Sequence, residues 1–201
     1  MSPALPTGVT LAMDEIPSPL GRIVIAARDG RLCALEFGRE RMARQLAARF
    51  PGSQRARIRD PFGISSKIRA YLGGELAAID RITVETGGTA FQQSVWRALR
   101  GIRAGRTMSY ATLARTIGHR AAVRAVGAAN GSNPISIVVP CHRLIGGDGA
   151  LIGYGGGLWR KRWLLDHEGA AERLAGRAGD RPARATRPPT GPPRGRSRSP
   201  R

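Results

Sequence analysis

The spacing of apolar residues changes near residues 87–89, and this change most constrains what the chain can fold into. Before it, apolar and polar residues alternate over 9–38, interrupted by Pro-Leu-Gly at 19–21 and Asp-Gly at 29–30. Such alternation is typical of two or three half-buried strands joined by tight turns. After it, apolar residues recur every three or four positions, which is typical of amphipathic helices. The sequence therefore predicts an α+β protein built from two units.

The first unit, residues 1–88, is predicted to be a small α/β domain with a short antiparallel sheet. Helical spacing indicates one helix over 38–50 and a shorter one within 61–75 that ends at a pair of glycines. Residues 82–86, "ITVET", are a candidate strand. Cys33 lies inside one of the strands, and we expect it to face the core, as free cysteines usually do.

The second unit, residues 89–170, is predicted to be mainly helical. The stretch "FQQSVWRALRGI" at 91–102 carries an apolar stripe, and 107–133 is predicted to form a helix, a tight turn and a second helix. Ser109 is placed to cap the first of these helices, and Gly118 is placed to end it. The sequence therefore predicts a helix-turn-helix in a winged-helix-like domain.

The net charge of +19 is concentrated in the second unit and the C-terminal segment. Residues 89–170 contain 11 Lys/Arg and 3 Asp/Glu, and residues 171–201 contain 9 and 2. A polyanionic partner, most simply nucleic acid, is the natural interpretation, although an arginine-rich composition also accompanies a GC-rich genome. Residues 171–201 lack aromatic residues and are nearly free of aliphatic ones, so we expect a disordered basic tail.

Cysteine usage and hydropathy exclude several classes of protein. The two cysteines, Cys33 and Cys141, form no CxxC pair and no cluster with zinc-ligand spacing, so we expect neither a metal nor a redox pair. Two cysteines in a chain of this length indicate a reducing compartment. The N-terminus has no signal-peptide pattern, and no apolar run is long enough to span a bilayer. We therefore expect a cytoplasmic protein.

The segment "NPISIVVPCHRLIGG" at 133–147 carries the strongest candidate for chemistry. Cys141 would react as its thiolate, and the neighbouring His142 is a potential base. If 137–141 is a strand, the two side chains point in opposite directions, so they can meet only if the chain turns at 140–143. Glu168 could orient His142 and complete a Cys–His–Glu relay. A purely structural cysteine and histidine remain the alternative.

The second helix of the predicted helix-turn-helix carries few side chains that could read bases. "AAVRAVGAAN" at 121–130 has Arg124 as its only long side chain, among Ala125, Gly127 and Ala128. Small residues allow a helix to approach DNA closely, and one arginine could fill the space left by an extruded base. The alternative is an alanine-rich packed helix whose arginine is solvated.

Together these motifs resemble the O6-alkylguanine-DNA alkyltransferases, the methylated-DNA–protein-cysteine methyltransferases. The resemblance rests on "NPISIVVPCHRLIG", on "GYGGGLWRKRWLLDHEG" after it and on "SYATLARTIG" with "AAVRAVGAANGSNP" before it. It covers about residues 89–169 and extends more weakly to "SPLGRIVIAARDGRLCALEF". It is closest to the bacterial type without a zinc-binding adaptor domain. The tail at 171–201 is outside the family pattern.

The resemblance implies a role for each of five residues in the reaction. Cys141 would take the alkyl group, His142 would deprotonate it through a water molecule, and Glu168 would hold the imidazole. Asn133 would tie the active-site turn to the helix-turn-helix. Tyr110 would contact the flipped nucleotide near guanine N3 and its 3′ phosphate. No cofactor is implied, because the cysteine is itself the acceptor and each molecule acts once.

The resemblance also implies how DNA and the base are held. The helix would enter the minor groove of double-stranded DNA, with Arg124 replacing the extruded base and Ala125, Gly127 and Ala128 against the backbone. Substrates would be O6-alkylguanine and O4-alkylthymine, and the protein would act as a monomer. The residues implied for the alkylguanine pocket are Leu144, Tyr154, Gly155, Ser136 and Ile152. Some members have proline at the position of Ser136 and glycine or threonine at that of Ile152.

Three other functions are compatible with parts of the pattern. A non-catalytic module that flags damaged bases would lack the acceptor cysteine, so Cys141 argues against it. A Cys–His hydrolase would turn over and would leave the arginine-bearing helix unexplained. A transcriptional regulator would need more base-reading side chains than 121–130 provides.

Overall fold

The computed structural model describes residues 10–170, which form a four-stranded sheet followed by a mainly helical second half. The strands are β1 Thr10–Ile16, β2 Ile23–Arg28, β3 Arg31–Phe37 and β4 Gln54–Arg57, in the spatial order β3-β2-β1-β4. β1 with β2 and β2 with β3 are antiparallel. The predicted α+β class with its small N-terminal sheet is confirmed.

The turn between β2 and β3 follows from two residues that favour a left-handed backbone. Asp29 and Gly30 have φ values of 50° and 73°. Two successive positive φ angles give the turn whose twist matches that of the flanking strands. The turn pairs Arg28 with Arg31, and a bulge between Ala26 and Ala27 then shifts the register so that Ala26 faces Ala34.

Two predictions for the first unit are wrong in detail. The strand β4 pairs with β1 in parallel, so the sheet is mixed rather than purely antiparallel. Its sequence, Gln-Arg-Ala-Arg, carries no apolar alternation because it is a short charged edge strand, of the kind that resists edge-to-edge association. Residues 82–86 make a single bridge, between Val84 and Leu32, instead of a full strand.

The helix α1, Arg39–Arg49, covers one face of the sheet, and the second half covers the other. On the α1 side, Met42 and Leu46 pack with Val24 and Ala26. On the opposite face Ile23 and the other alternate residues of β2 join the main core. This arrangement explains why β2 is buried along nearly its whole length. Helix α2, Ile64–Leu72, ends at Gly73 as predicted.

Two helices of the second half begin at a side-chain cap, and the cap predicted at Ser109 is one of them. Helix α3, Ala90–Arg100, starts with a reciprocal capping box between Thr89 and Gln92. Ser109 caps α4, Tyr110–Thr116, and Gly118 follows that helix with a φ of 80°. After the turn, α5 spans Val123–Gly131, so the predicted helix-turn-helix is formed. The remaining elements are a two-residue parallel pair, β5 Met108–Ser109 with β6 Leu144–Ile145, and the helix α6, Leu158–His167.

The two halves share one hydrophobic core. A single cluster of buried residues runs from Ile16 in β1 to Leu164 in α6. Leu35 of β3 also makes backbone hydrogen bonds to the segment that leads to Cys141: its N–H donates to the carbonyl of Pro134, and its carbonyl accepts from Ser136. The sheet therefore directly supports the segment before the candidate nucleophile.

Within residues 10–170 no helix is both long and apolar enough to cross a bilayer. The predicted disordered tail, residues 171–201, lies outside the described residues.

The shared core predicts that the two halves unfold together. Leu35→Ala should lower the free energy of unfolding by about 2–5 kcal/mol because it removes a fully buried side chain. The three tryptophans, Trp96, Trp159 and Trp163, all lie in the second half. The midpoint of denaturation should therefore shift by the same amount whether it is followed by tryptophan fluorescence or by far-ultraviolet circular dichroism. A shift in the dichroism alone would show that the halves unfold independently.

Candidate active site

The segment before Cys141 is a series of turns rather than the strand considered from its apolar sequence. Residues 134–140 make one isolated bridge, and Cys141–Arg143 then form a single 3₁₀ turn. Ile137 has a φ of 69°, which is costly for a β-branched residue and is found where the surroundings impose it. The chain therefore turns at the corner that a meeting of Cys141 and His142 requires.

Asn133 provides much of this local order. Its side-chain nitrogen donates to the carbonyl of Val139 at 2.8 Å, and its side-chain oxygen accepts from the N–H of Ile135 at 3.0 Å. Asn133 lies two residues after the end of α5 and is buried. It therefore connects the helix-turn-helix to the segment that presents Cys141.

His142 and Glu168 are in contact, deep in the core. His142 Nε2 lies 3.0 Å from Glu168 Oε1, and both side chains are fully buried. A carboxylate accepts hydrogen bonds, so Nε2 carries the proton and Nδ1 keeps its lone pair. Within residues 10–170, His142 Nδ1 has no hydrogen-bond partner. The imidazole is thus oriented as a base with its accepting nitrogen free.

The N–H of Gly105 donates to Glu168 Oε2 at 3.4 Å, and two side chains complete the shell of this carboxylate. Arg143 donates to both carboxylate oxygens, through Nε at 2.9 Å and Nη2 at 2.8 Å, and also to the carbonyl of Ile102. The hydroxyl of Tyr71, from α2, donates to Oε1 at 2.7 Å. Sequence reasoning missed both residues. Arg143 stands next to His142 in the motif, whereas nothing in the sequence near Tyr71 indicates its partner 97 residues away.

This environment lowers the pKa of both partners, for different reasons. Burial alone would raise the pKa of Glu168, but the hydrogen bond from His142 and the charge of Arg143 hold it well below its usual value. Burial lowers the pKa of His142, although Glu168 opposes the shift. At neutral pH the pair is therefore a carboxylate and a neutral imidazole.

The thiol of Cys141 is 5% exposed and protonated at neutral pH. Burial raises the pKa of Cys141 to about 11, while the side chain of Asn133 and the charge of Lys161 act in the opposite direction. No hydrogen bond joins the thiol to His142 in the described part of the chain. The thiolate therefore forms only if a nearby base takes the proton of the thiol.

Lys161 belongs to the candidate site but was not among the residues predicted from the sequence. It is fully buried, and its ammonium group donates to the carbonyls of Leu144 at 2.5 Å and Ile152 at 2.6 Å. Burial lowers its pKa to about 8, so it still carries most of its charge at pH 7. A signal for it exists, because Lys161 stands at helical spacing from Leu164 and Leu165 on the buried face of α6.

The residues predicted to form the pocket come from the chain on either side of Cys141 and from the segment 152–157 before α6. The ring of Tyr154 stands edge-on to His142, with centroids 6.5 Å apart, and Ser136 is buried beside its hydroxyl. The hydroxyl of Tyr110 lies 3.5 Å from the carbonyl of Ile152. Leu144 is buried, whereas Gly155 and the side chain of Ile152 are exposed.

The predicted DNA-binding residues share the outer face of α5. Arg124, Ala125 and Ala128 are exposed, Gly127 is partly exposed, and the buried face carries Val126 and Ala129. Gly127 lies close to the ring of Tyr110, since a Cβ there would be 4.0 Å from it. Within residues 10–170, no hydrogen bond or ion pair joins Arg124 to the residues around Cys141. The described residues include no group of three His, Cys, Asp or Glu side chains that could hold a metal ion.

The buried carboxylate predicts a pH-dependent stability. Glu168→Gln should lower the free energy of unfolding at pH 7 by about 3–5 kcal/mol, because the buried Arg143 loses its counter-charge. The folded-state pKa of Glu168 is depressed, so its contribution is complete above the unfolded value of about 4.3 and is lost as the pH falls below it. Urea denaturation from about pH 5 to pH 3 should show a steeper loss of stability in the unchanged protein than in the variant.

The matched control for this experiment is Glu75→Gln, which makes the same change at an exposed carboxylate after α2. It should leave both the stability at pH 7 and its pH dependence nearly unchanged. Parallel pH profiles for the unchanged protein and Glu168→Gln would contradict the assigned charge state.

Comparison with known proteins gives consistent matches over both halves. Residues 13–86 match the family described as 6-O-methylguanine DNA methyltransferase, ribonuclease-like domain, and residues 90–170 match its DNA binding domain. A methylated-DNA–protein-cysteine methyltransferase from Salmonella typhimurium is 49% identical over 164 residues, which cover 79% of this chain and 96% of the relative. The protein of the same name from Haemophilus influenzae is 40% identical over 156 residues, covering 76% and 83%.

Solved structures agree with these sequence matches. The O6-methylguanine methyltransferase of Mycobacterium tuberculosis superposes with a TM-score of 0.66 at 37% identity, covering 80% of this chain and 93% of that one. A structure of the M. tuberculosis OGT in complex with DNA gives 0.66 at 38% identity, covering 81% and 94%. With both halves matched by family, sequence and structure, this chain belongs to the methylated-DNA–protein-cysteine methyltransferase family, the O6-alkylguanine-DNA alkyltransferases.

Proposed function

We propose that the protein repairs DNA by direct reversal, moving an alkyl group from an alkylated base to the sulfur of Cys141. The observation that carries the proposal is a buried thiol next to a neutral histidine that a carboxylate orients, with Nδ1 of that histidine free to accept a proton. Family membership makes the protein a DNA-binding methylated-DNA–protein-cysteine S-methyltransferase. The proposed substrates are O6-alkylguanine and O4-alkylthymine in double-stranded DNA.

The protonation state of the thiol explains why a base is needed. A pKa of about 11 makes ionisation at pH 7 unfavourable by about 5 kcal/mol, at roughly 1.4 kcal/mol for each pKa unit. His142 Nδ1 takes the proton of Cys141 through a water molecule, and Glu168 stabilises the resulting imidazolium. The charge of Lys161 favours the thiolate while it exists. Arg143 keeps Glu168 ionised throughout.

The transfer is a displacement at the alkyl carbon. The sulfur–carbon bond forms as the bond between that carbon and O6 breaks, and the electron pair of the broken bond passes to the guanine. Tyr110 supplies a proton or a hydrogen bond to the leaving base near N3. Burial raises the pKa of Tyr110, so its hydroxyl is protonated and able to donate before the reaction. The product is a thioether, which has no hydrolytic exit, so each molecule acts once.

The base reaches the thiol by leaving the DNA stack. The exposed face of α5 enters the minor groove, where its alanines and glycine permit close approach and Arg124 takes the place of the extruded base. Tyr154, Gly155, Ser136 and Ile152 line the space for the base, and the carbonyls near Cys141 and Leu144 accept hydrogen bonds from its N2. Residues 89–170 carry this chemistry on the support of residues 1–88. The protein acts as a monomer in the cytoplasm, and its two free cysteines suit that reducing compartment.

Intact-protein mass after mixing with an oligonucleotide that carries one O6-methylguanine tests the transfer. The mass should rise by one methylene per protein, and peptide mapping should place the gain on Cys141. Cys141→Ala should abolish the gain and retain lesion binding, while Cys33→Ala, the matched control, should keep it. No gain in the unchanged protein, with lesion-selective binding intact, would identify a damage-binding module instead.

The role of Arg124 has a separate test. Arg124→Ala should slow methyl transfer from duplex DNA by about tenfold or more, because unstacking a paired base costs a few kcal/mol that the variant no longer offsets. Transfer from a single-stranded oligonucleotide should change much less. Arg97→Ala removes the same charge from an exposed position on α3 and serves as the control. Equal duplex rates for the two variants would remove the proposed role.

A further inference from the structure

The segment 152–157 next to Cys141 has neither helix nor strand, and cationic side chains hold most of its carbonyls. Lys161 holds those of Ile152 and Gly153, and Arg160 donates to that of Gly156 at 2.6 Å. Both cations lie in α6, directly after the segment. Arg41 Nη1 donates to the carbonyl of Gly155 at 2.7 Å and comes from α1, 114 residues away. The side of the candidate pocket is thus tethered to the first half.

Arg41 makes this contact while bound to a buried carboxylate. Its Nε donates to Glu36 Oε2 at 3.0 Å; the Glu36 side chain is 7% exposed and that of Arg41 is 43% exposed. Burial raises the pKa of Glu36, and the bond from Arg41 opposes that shift. The planar guanidinium therefore bridges two fixed acceptors, the end of β3 on one side and Gly155 on the other.

The segment at Gly155 is packed too closely to shift without moving its neighbours. A Cβ added at Gly156 would lie 2.8 Å from the ring of Phe37 and 2.7 Å from that of Tyr154. The Tyr154 ring in turn stands against Phe37 and edge-on to His142. A displacement of the Gly155 carbonyl is therefore transmitted to the aromatic ring beside the proposed base.

We propose that Arg41 is a positioning residue for the transfer to Cys141, acting through the carbonyl of Gly155 and the carboxylate of Glu36. It holds the segment 152–157 in the shape that receives the base, and it does so without touching the reacting atoms. This inference rests on the proposed function and adds to it a contribution from the first half. Misplacement of such a group by about 1 Å can slow a reaction a hundredfold.

Single-turnover methyl transfer from duplex DNA, measured over a range of DNA concentrations, tests the proposal. Arg41→Leu should lower the limiting rate constant by about tenfold or more, a fraction of the effect that misplacement can reach. The half-saturating DNA concentration should change by less than about twofold, because the outer face of α5 carries the proposed binding contacts. Arg41→Lys should restore part of the rate, since an ammonium can reach one acceptor but not bridge both in a plane.

Two further variants separate positioning from stability. Arg44→Leu removes an exposed arginine from the same helix and should leave the limiting rate unchanged. Arg41→Leu leaves Glu36 buried without its partner, so Glu36→Gln in that background should recover thermal stability. The double variant should stay slow, because its contact with Gly155 is still missing.

The outcomes distinguish this proposal from the one on which it rests. Absence of methyl transfer in the unchanged protein would overturn the proposed function. Transfer in the unchanged protein, with Arg41→Leu as fast as Arg44→Leu, would overturn the role of Arg41 alone. Recovery of both thermal stability and rate in the double variant would also overturn the role of Arg41, because Arg41 would then act only through stability.

Discussion

The structure of the site depends on one buried carboxylate. Glu168 accepts hydrogen bonds from His142, Arg143 and Tyr71, and each of these side chains lies almost entirely out of solvent. A buried charge costs several kcal/mol unless a counter-charge and hydrogen bonds compensate it. Arg143 supplies that counter-charge in two-point geometry. Because the charge is already balanced, His142 can remain neutral, and a neutral imidazole is the form that can accept a proton.

The same carboxylate makes the first half part of the site. Tyr71 reaches Glu168 from α2, and Leu35 forms backbone hydrogen bonds on either side of Ile135, just before the Cys141 turn. The shared hydrophobic core surrounds these polar contacts. Polar groups in such surroundings have no water to replace a lost partner, so small displacements of the sheet change the hydrogen bonding of the site. The first half therefore acts on the chemistry through geometry, without a side chain at the reacting atoms.

Sequence reasoning succeeded where the information is local. The alternation before residue 38, the cap at Ser109 and the spacing of α3 to α5 each follow from neighbouring residues. The candidate pair Cys141 and His142 is local too, and the turn it requires is present. The apolar run before it is also compatible with a strand, but the chain forms turns there, where the side chain of Asn133 satisfies the backbone.

The residues that the sequence did not reveal are those whose partners lie far along the chain. Tyr71 and Arg41 each contact a group about a hundred positions away, and neither carries a local pattern that indicates it. Lys161 differs, because its helical spacing from Leu164 and Leu165 predicts burial, and a buried lysine predicts nearby acceptors. The edge strand β4 was missed because its sequence is polar and shows no apolar alternation. This strand is held mainly by backbone pairing with β1, which leaves no pattern in the side chains.

Asn133 connects the proposed DNA-binding surface of α5 to the position of the thiol. The outer face of α5 is made of small residues around Arg124. In the proposed complex, the backbone of this helix rather than its side chains would set the distance to the duplex. Asn133 follows that helix and bonds to Ile135 and Val139 on the way to Cys141. These two hydrogen bonds restrict the backbone between the helix and the sulfur. A base extruded by the proposed action of Arg124 therefore meets a thiol whose position the same helix has fixed.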